Sequence, residues 1–360
     1  MRLSTPAPGR GRADFWLARI AVIRRPRALP ATLLVALAAS SCGGSATSTS
    51  TPTHRTAASA GASQRADAHA APARPATLVY RSRYQLPAPL KDPAFAGLGA
   101  ARFALLGGLD SSEVSSAGIE VAGLHGVLHT ATLPLAQHDA QATELGGVVY
   151  VFGGGSATEL DHIVSFDPAS GAVQAVGTLP HAQSDVAVTQ TGGTAYVVGG
   201  YDGTNWLNTI LAWRPGSPVR VAGQLPVGLR YSAATAVGGR VLVMGGSTPT
   251  SASDAIYSFD PATGQVRKLG RLPQPITHAS AATLGSFAYL IGGRGNSLGS
   301  QTATVWSIDP RTGAVEVAGH LPEPLSDTAS VPIGGTIVVA GGLAPTTTVA
   351  GVGQLVPAGA

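Results

Sequence analysis

Cysteine occurs once among the 360 residues, at Cys42, so no disulfide can form within the chain. Charged residues are also scarce, at 12% of the composition, and aromatic residues make up only 5%. Glycine and proline are by contrast abundant, with 47 and 26 residues. Few charges and many turn-forming residues favour short buried strands joined by tight turns, and they argue against a helical protein.

The formal net charge of +4 is unevenly distributed along the chain. Residues 1–76 contain 10 Lys/Arg against 2 Asp/Glu, which gives +8. Residues 77–360 contain 13 Lys/Arg against 17 Asp/Glu, which gives −4. The basic character therefore belongs to the N-terminal part, and the rest of the chain gives no indication of nucleic-acid binding.

Residues 1–42 are predicted to be an export signal. A basic stretch around Arg25 precedes an apolar run at 28–39, which is too short to be a stable transmembrane anchor. Small residues then precede Cys42, and this resembles a bacterial lipoprotein signal, in which the cysteine is lipidated and becomes the new N-terminus. We expect an exported lipoprotein on the extracytoplasmic side of the cell membrane. The alternative is a secretion signal that is cleaved at another position.

Residues 43–76 are rich in Ser, Thr, Ala, Pro and Gly and show no hydrophobic periodicity. Such a segment buries too little apolar surface to offset the entropy lost on ordering it, about 1–2 kcal/mol per residue for the backbone. We predict that it is a disordered tether, which holds a folded domain at 77–360 away from the membrane.

The segment 77–360 contains one motif repeated six times. Its clearest copy is the apolar run 148–152, which ends in the glycine pair 153–154. The first glycines of the six pairs stand at 107, 153, 199, 245, 292 and 341, so successive copies lie 46, 46, 46, 47 and 49 residues apart. Leu-Pro recurs in step with them, with leucines at 86, 133, 179, 225, 272 and 321. A fixed period of this length indicates a repeat architecture.

Each repeat is long enough for four short strands. In the second repeat we predict strands at 139–144, 148–152, 163–166 and 173–178. The turn before the last of these reads Asp-Pro-x-x-Gly, in which Asp bonds the turn backbone, Pro fixes φ and Gly accepts a left-handed conformation. Four-stranded units repeated six times predict an all-β, six-bladed β-propeller.

The two ends of the repeat region complement each other. A strand-like run at 77–81 precedes the first complete unit, whereas the last unit ends after its third strand, at 349–356. We predict that the N-terminal strand supplies the missing fourth strand of the last blade. This pairing would remove a free sheet edge and oppose opening of the ring.

The repeats resemble the kelch family, in which an apolar, aromatic B strand ends in Gly-Gly and a C strand ends near Asp-Pro. The segment 201–208 is similar to the loop that follows Gly-Gly in that family. The resemblance covers 77–360 and implies a kelch-type propeller. Galactose oxidases of this type need a cysteine cross-linked to tyrosine at a copper site, and the lack of cysteine after Cys42 excludes that chemistry. Kelch-like sialic-acid mutarotases need no cofactor, and they stay open as an alternative.

Polar residues recur at the start of every A strand, four and five positions after each Leu-Pro. Six-fold placement brings them toward one axis, and in the kelch family this end of the ring is a common ligand face. The pairs are Lys91/Asp92, His138/Asp139, Ser184/Asp185, Arg230/Tyr231, Thr277/His278 and Ser326/Asp327. The alternative is that these residues start strands, bond turn amides and lie in water. A carboxylate ring also suits Ca²⁺, but no Asp-x-Asp-x-Asp spacing supports a metal site.

These residues favour a binding module for a protein or a glycan over an enzyme. In this hypothesis Lys91 and Arg230 hold a carboxylate, and His138 or His278 is available for proton transfer. Trp206 either stacks on the partner or packs between blades. The alternative function is a cofactor-independent mutarotase or epimerase that uses a polar pocket at the same place. We expect a monomer that binds no metal and no cofactor.

Overall fold

The structure, a computed structural model, describes residues 74–359. The predicted export signal with Cys42, and the tether as far as residue 73, lie outside the described residues. Between 74 and 359 the chain forms 24 strands in six four-stranded antiparallel sheets. This part of the chain has no helix long and apolar enough to cross a bilayer.

The first three blades follow one another along the chain, and each is built from consecutive strands in the order A, B, C, D. The first blade comprises β2 (Ala94–Leu98), β3 (Arg102–Leu106), β4 (Ser116–Gly123) and β5 (Gly126–Gln137). The second comprises β6 (Gln141–Leu145), β7 (Val148–Phe152), β8 (His162–Phe166) and β9 (Val173–Thr178). The third comprises β10 (Ala187–Thr191), β11 (Thr194–Val198), β12 (Thr209–Trp213) and β13 (Arg220–Gln224).

The fourth and fifth blades repeat this order, and the sixth combines both ends of the described chain. The fourth comprises β14 (Ala233–Val237), β15 (Arg240–Met244), β16 (Ala255–Asp260) and β17 (Gln265–Arg271). The fifth comprises β18 (Ser280–Leu284), β19 (Phe287–Ile291), β20 (Thr304–Ile308) and β21 (Val315–His320). The sixth comprises β22 (Ala329–Ile333), β23 (Thr336–Ala340), β24 (Gly351–Pro357) and β1 (Leu78–Gln85).

The A strands β2, β6, β10, β14, β18 and β22 line the centre of the ring. Each contacts the A strand of the next blade, and β22 contacts β2, so the six blades form a closed circle. The predicted six-bladed propeller is therefore confirmed. Every A strand begins after its Leu-Pro step at one end of the ring and ends at its A–B turn at the other end. We call the end of the ring that carries the A–B and C–D turns the turn face.

Strand β1 is the outer strand of the sixth blade. It pairs antiparallel with β24, from Leu78 opposite Pro357 to Gln85 opposite Gly351. Upstream of β1, the Ala76 N–H donates to Tyr289 Oη at 2.9 Å, so the entering chain also contacts the fifth blade. Because β1 is a D strand, the chain enters the propeller at the turn face.

Six apolar clusters fill the gaps between neighbouring blades. In the gap between the second and third blades, Trp213 packs edge-to-face against Tyr150 and Phe152, with ring centroids 4.9 and 5.5 Å away. The two faces of a B strand pack in the gaps on either side of its blade. In β7, Val149 and Val151 pack in one gap, and Tyr150 and Phe152 pack in the next. The apolar B-strand runs of the sequence are thus buried on both sides.

The glycine pairs join each blade to the next. The N–H of Gly154 donates to the carbonyl of Gln183 in the third blade at 2.9 Å, and the equivalent bonds recur around the ring. Gly153 has φ of 59°, and a Cβ at this position would collide with that same carbonyl. The glycine is therefore required both by its left-handed backbone and by the close approach of the next blade.

A comparison of Gly153 with Gly146 distinguishes the effect of the left-handed backbone from that of the close approach. Gly146 also has a left-handed backbone, with φ of 66°, but a Cβ there meets nothing within 4 Å. We expect Gly146→Ala to lower the free energy of unfolding by about 1–2 kcal/mol, the cost of a left-handed alanine. Gly153→Ala should cost about 1–3 kcal/mol more, because the collision adds to it. Denaturant unfolding of both variants measures the difference, and equal losses would contradict this account of the blade joint.

The contribution of β1 is tested by removing it. Deletion of residues 77–86 exposes the edge of β24 and part of the apolar gap, so we expect a markedly lower melting temperature. An unchanged melt would contradict the assigned role of the strand.

Two point variants in the same strand provide a matched comparison for the deletion. Leu78 is 3% exposed and Val79 is 48% exposed. Leu78→Ala should cost about 2–4 kcal/mol, whereas Val79→Ala should cost well under 1 kcal/mol.

Candidate ligand-binding site at the channel mouth

Six residues at equivalent positions of the six blades form a ring around the propeller axis. All six have a left-handed backbone, with φ between 49° and 58°. We call them the axial ring: Asp92, Asp139, Asp185, Tyr231, His278 and Asp327. They are the second members of the six pairs identified in the sequence, so the predicted convergence on one axis is present.

Backbone hydrogen bonds close the axial ring. Each N–H donates to the carbonyl of the equivalent residue in the preceding blade, with N···O distances of 2.9–3.3 Å. The last bond runs from the Asp92 N–H to the carbonyl of Asp327, which completes the circle. Aspartate tolerates the left-handed conformation better than most residues, whereas Tyr231 and His278 are strained in it. The ring therefore holds two unfavourable backbones in place.

The residue before each ring member forms a bridge to the residue after the glycine pair of its own blade, as Lys91 does with Leu109 and Arg230 with Ser247. This bridge fixes the first members of the six pairs next to the loops that follow Gly-Gly. We call the surface formed by these first members and loops the channel mouth. It lies at the opposite end of the ring from the turn face.

The four carboxyl groups of the axial ring occupy consecutive blades; Asp185 and Asp327 are buried, and Asp92 and Asp139 are partly buried. The side chain of Asp185 is 1% exposed and that of Asp327 is 6% exposed. Burial raises the pKa of Asp92 well above its usual value, and the neighbouring Asp327 and Asp139 raise it further. Burial likewise raises the pKa of Asp139, with further contributions from Asp185 and Asp327. Like charges this close favour protonation of some members of the set.

The other two ring members stack on each other. The rings of Tyr231 and His278 lie 3.7 Å apart at 22°. Arg294 Nη2 lies 3.0 Å from His278 Nε2. Burial lowers the pKa of His278 to about 2, and the positive charges of Arg294, Arg230 and Lys91 act in the same direction. His278 is therefore neutral and accepts a hydrogen bond from Arg294, which makes it a poor proton donor.

Arg230 is fixed in place at the channel mouth. Its Nε forms an ion pair with Asp185 Oδ2, and its Nη2 donates to Tyr231 Oη at 3.3 Å. The guanidinium carbon lies 4.1 Å from the centre of the Tyr201 ring and 5.3 Å from that of Trp206. Such contacts with aromatic faces hold an arginine in one orientation.

Trp206 is half-buried and packs beside Tyr201 and Arg230. Its ring meets that of Tyr201 edge-to-face at 5.1 Å, and its backbone approaches Gly228 of the fourth blade so closely that a Cβ there would collide with it. Trp206 therefore packs between blades, and its stacking on a partner stays a prediction. Tyr201, which follows the third glycine pair directly, was not among the predicted site residues.

The other side of the mouth carries Lys91 and His138. Lys91 is buried, and its Nζ lies 2.6 Å from Glu113 Oε1 in the loop of the same blade. His138 Nδ1 lies 2.9 Å from Ser115 Oγ, and its Nε2 lies 3.6 Å from Asp139 Oδ2. Burial lowers the pKa of His138, which leaves the imidazole neutral at pH 7. Ser115 has no recognisable sequence signal, because it lies in a loop of irregular length.

Two motif-like spacings in the sequence do not form the sites that they suggest. Residues 295–299 read Gly-x-Ser-x-Gly, but no helix follows them, so they are not a nucleophile elbow. His125 and His129 are four residues apart across the β4–β5 hairpin, and both are exposed. Among the described residues, no group of three or more His, Cys, Asp or Glu side chains is arranged to hold a metal ion.

The cavities of the described residues include two along the propeller axis and one beside the entering chain. The first, of roughly 450 Å³, is lined by the A strands, and we call it the central channel. The second, of roughly 50 Å³, is lined by the axial ring and narrows the channel at the mouth end. The third, of roughly 460 Å³, lies beside Arg74 and Phe287. Neither Arg230 nor His138 lines any of these three cavities.

Six four-stranded blades around a polar axis define a six-bladed β-propeller. Residues 228–273 match the model of the Kelch motif family, and with the six blades this match supports the assignment of the chain to the kelch-repeat propellers. The chain is also similar to a solved structure described as YjhT, at 16% identity over 76% of this chain and 96% of that one, with a TM-score of 0.65. That likeness shows the fold alone. No match was found among curated proteins.

The raised pKa of Asp92 predicts that the stability of the fold depends on pH. Because the pKa of Asp92 is raised in the folded state, this carboxyl group binds a proton more tightly in the folded protein than in the unfolded chain. The contribution of Asp92 to the free energy of unfolding is therefore fully present below about pH 4 and is lost as the pH rises toward the raised pKa. The lowered pKa values of His138 and His278 act in the opposite direction below about pH 6.5, so the test is the difference between variant and wild type. Asp92→Asn removes the Asp92 contribution, so its melting temperature should fall less, or rise more, than that of the wild type between about pH 4 and pH 8.

A second aspartate provides a control of opposite sign. Hydrogen bonds from Ser170 and Ala169 lower the pKa of Asp167, which is exposed in a turn. Asp167→Asn should keep the wild-type pH profile between about pH 5 and pH 8. A profile of Asp92→Asn that also matches the wild type would show that Asp92 does not control this dependence.

Proposed function

We propose that the propeller is a binding module whose channel mouth recognises an anionic group on a protein or a glycan. The observation that supports this most directly is the convergence of Lys91, Arg230 and Arg294 on the axis. Arg294 Nη2 lies 3.0 Å from His278 Nε2, and Arg230 contacts Tyr231, which stacks on His278. Lys91 directly precedes Asp92 of the axial ring and bridges to Leu109. Lys91 belongs to the first blade and Arg230 to the fourth, so these two cations face each other across a six-bladed ring.

The preorganisation of Arg230 favours binding of a carboxylate. Its ion pair with Asp185 and its contacts with Tyr201 and Trp206 fix the guanidinium before any partner arrives. A fixed side chain loses little conformational entropy on binding. Arginine has five N–H donors, and the two bonds to Asp185 and Tyr231 leave others for a carboxylate.

The shape of the mouth favours recognition of a partner at the surface over catalysis in a pocket. Neither Arg230 nor His138 lines the central channel or the small cavity at the axial ring. The carboxyl groups with the largest pKa shifts are the buried ones of the axial ring, where a substrate has little access. Asp92, Asp139, Asp185 and Asp327 therefore act on the ligand through the residues above them.

A cofactor-independent mutarotase or epimerase is the second candidate. It is favoured by His138, a half-buried neutral imidazole that contacts Ser115 at the mouth. A neutral imidazole accepts a proton near pH 7, as sugar ring opening requires. Saturable conversion of a sugar acid between its anomers, followed by NMR and lost in His138→Gln, would favour this candidate.

The cellular setting is part of the proposal. The bacterial lipoprotein signal that residues 1–42 resemble would place the module outside the cytoplasm, attached to the membrane through lipidated Cys42. A monomer attached in this way is suited to capture of a partner at the cell surface.

A glycan array and a pull-down with the purified chain test the binding function. We expect anionic glycans or acidic protein segments to be retained. Arg230→Lys keeps the charge but loses the planar donor fork, so affinity should fall about tenfold or more. Arg230→Lys also avoids leaving Asp185 without a cation, which Arg230→Ala would do.

Arg240 provides the matched control for the binding test. It begins β15 at the turn face, at the opposite end of the ring from the mouth, and pairs with Asp260 at 3.1 Å. Arg240→Lys should bind as the wild type does. Equal retention by Arg230→Lys and the wild type would remove the channel mouth from consideration.

A further inference from the structure

The central channel is chemically different from the mouth. It extends from the level of the axial ring to the A–B turns, and its walls come from the A strands of all six blades. The lining is mainly Ala, Val, Ser, Thr and Gln, and Glu144 is its only ionisable residue. Glu144 lies near the wide end, where its carboxylate accepts a hydrogen bond from the Gly147 N–H. The walls therefore offer many neutral hydrogen-bonding groups and almost no charge.

Part of this hydrogen-bonding capacity is already used between blades. Thr235 Oγ1 and Thr283 Oγ1 lie 2.9 Å apart, and Thr283 also donates to the carbonyl of Ala236 at 2.8 Å. Ser280 Oγ lies 3.0 Å from Thr328 Oγ1. These pairs join the fourth blade to the fifth and the fifth to the sixth. Hydroxyl groups held in this way form a rigid polar wall.

Ser232 is different, because its hydroxyl has no partner. The residue is only 7% exposed, and its Oγ makes no hydrogen bond within the described protein. Ser232 lines both the central channel and the small cavity at the axial ring, so it stands at the narrow end of the channel. Ser330, in the sixth blade, also lines the channel with an unpartnered Oγ. A buried hydroxyl without a partner is costly. Because both residues line the channel, rotation of the serine side chain to another rotamer brings the hydroxyl within reach of a ligand group, and the bond removes this cost.

We propose that the central channel is a second binding site, entered from the turn face, for a small neutral polyhydroxy compound such as a sugar or polyol. Its volume of roughly 450 Å³ lies within the range of small-molecule sites. A charged ligand would lose its hydration without meeting an opposite charge on the walls. A polyhydroxy compound both donates to and accepts from Ser232, Ser330 and the side-chain amide of Gln141. This site is independent of the anion site at the mouth.

Calorimetric titration of the purified chain tests this proposal. The probes are neutral mono- and disaccharides and hexitols, with a uronic acid and a hexosamine of matched size as the charged counterparts. We expect saturable binding of at least one neutral compound and weaker binding of both charged counterparts. Ser232→Ala should weaken that binding about tenfold, which corresponds to the loss of one hydrogen bond.

Ser258→Ala is the matched control, because Ser258 Oγ is also buried without a partner but lies outside the channel. It should leave binding unchanged. Gln190→Trp changes an exposed residue at the wide end and should block entry without disturbing packing. Three results would overturn the proposal: no saturable binding of any neutral probe, equal affinity in Ser232→Ala and the wild type, or binding that is lost in Arg230→Lys. The last result would assign the bound compound to the mouth.

Discussion

The circle of six backbone hydrogen bonds at the axis is the constraint on which the rest of the structure depends. It requires a left-handed residue at the start of every A strand, and it sets the distance between neighbouring blades there. The glycine pairs make a second set of joints further from the axis, where Gly154 and its equivalents bond to the next blade. Side chains at the axis are therefore held by backbone geometry that does not depend on their own chemistry. This explains how Tyr231 and His278 keep the conformation that aspartate adopts in the other four blades.

The repeat carried most of the information about the fold. The spacing of the glycine pairs and the Leu-Pro steps gave the number of blades, and the Asp-Pro-x-x-Gly turn located the C and D strands of the second blade within a residue. The same spacing identified Asp92 and its five equivalents as neighbours. It did not reveal that these side chains are buried beneath Lys91 and Arg230, because burial follows from the left-handed backbone, which the residue types alone do not specify. Pairings between loops of irregular length, such as Ser115 with His138, leave no periodic trace.

The distribution of charge follows from this geometry. Four carboxyl groups form an arc of the axial ring, and burial raises the pKa of each of them. Repulsion from neighbouring carboxylates raises the pKa values of Asp92 and Asp139 further. Above these carboxyl groups Arg230 is partly exposed and pairs with Asp185, whereas Lys91 is buried and pairs with Glu113. The protein thus separates a charged outer surface from a neutral interior by a single layer of residues. The two ends of the ring differ in chemistry although every blade has the same topology.

The direction of β1 gives the two ends of the ring different surroundings. The described chain enters at the turn face, beside the A–B and C–D turns. Lys91 and Arg230 lie at the opposite end of the ring. The last described residues lie beside the entering chain, because the Ala358 N–H donates to the Thr77 carbonyl at 2.8 Å. Both ends of the described chain are therefore at the wide opening of the hydroxyl-lined interior, and a large partner can approach Lys91 and Arg230 without meeting either chain end.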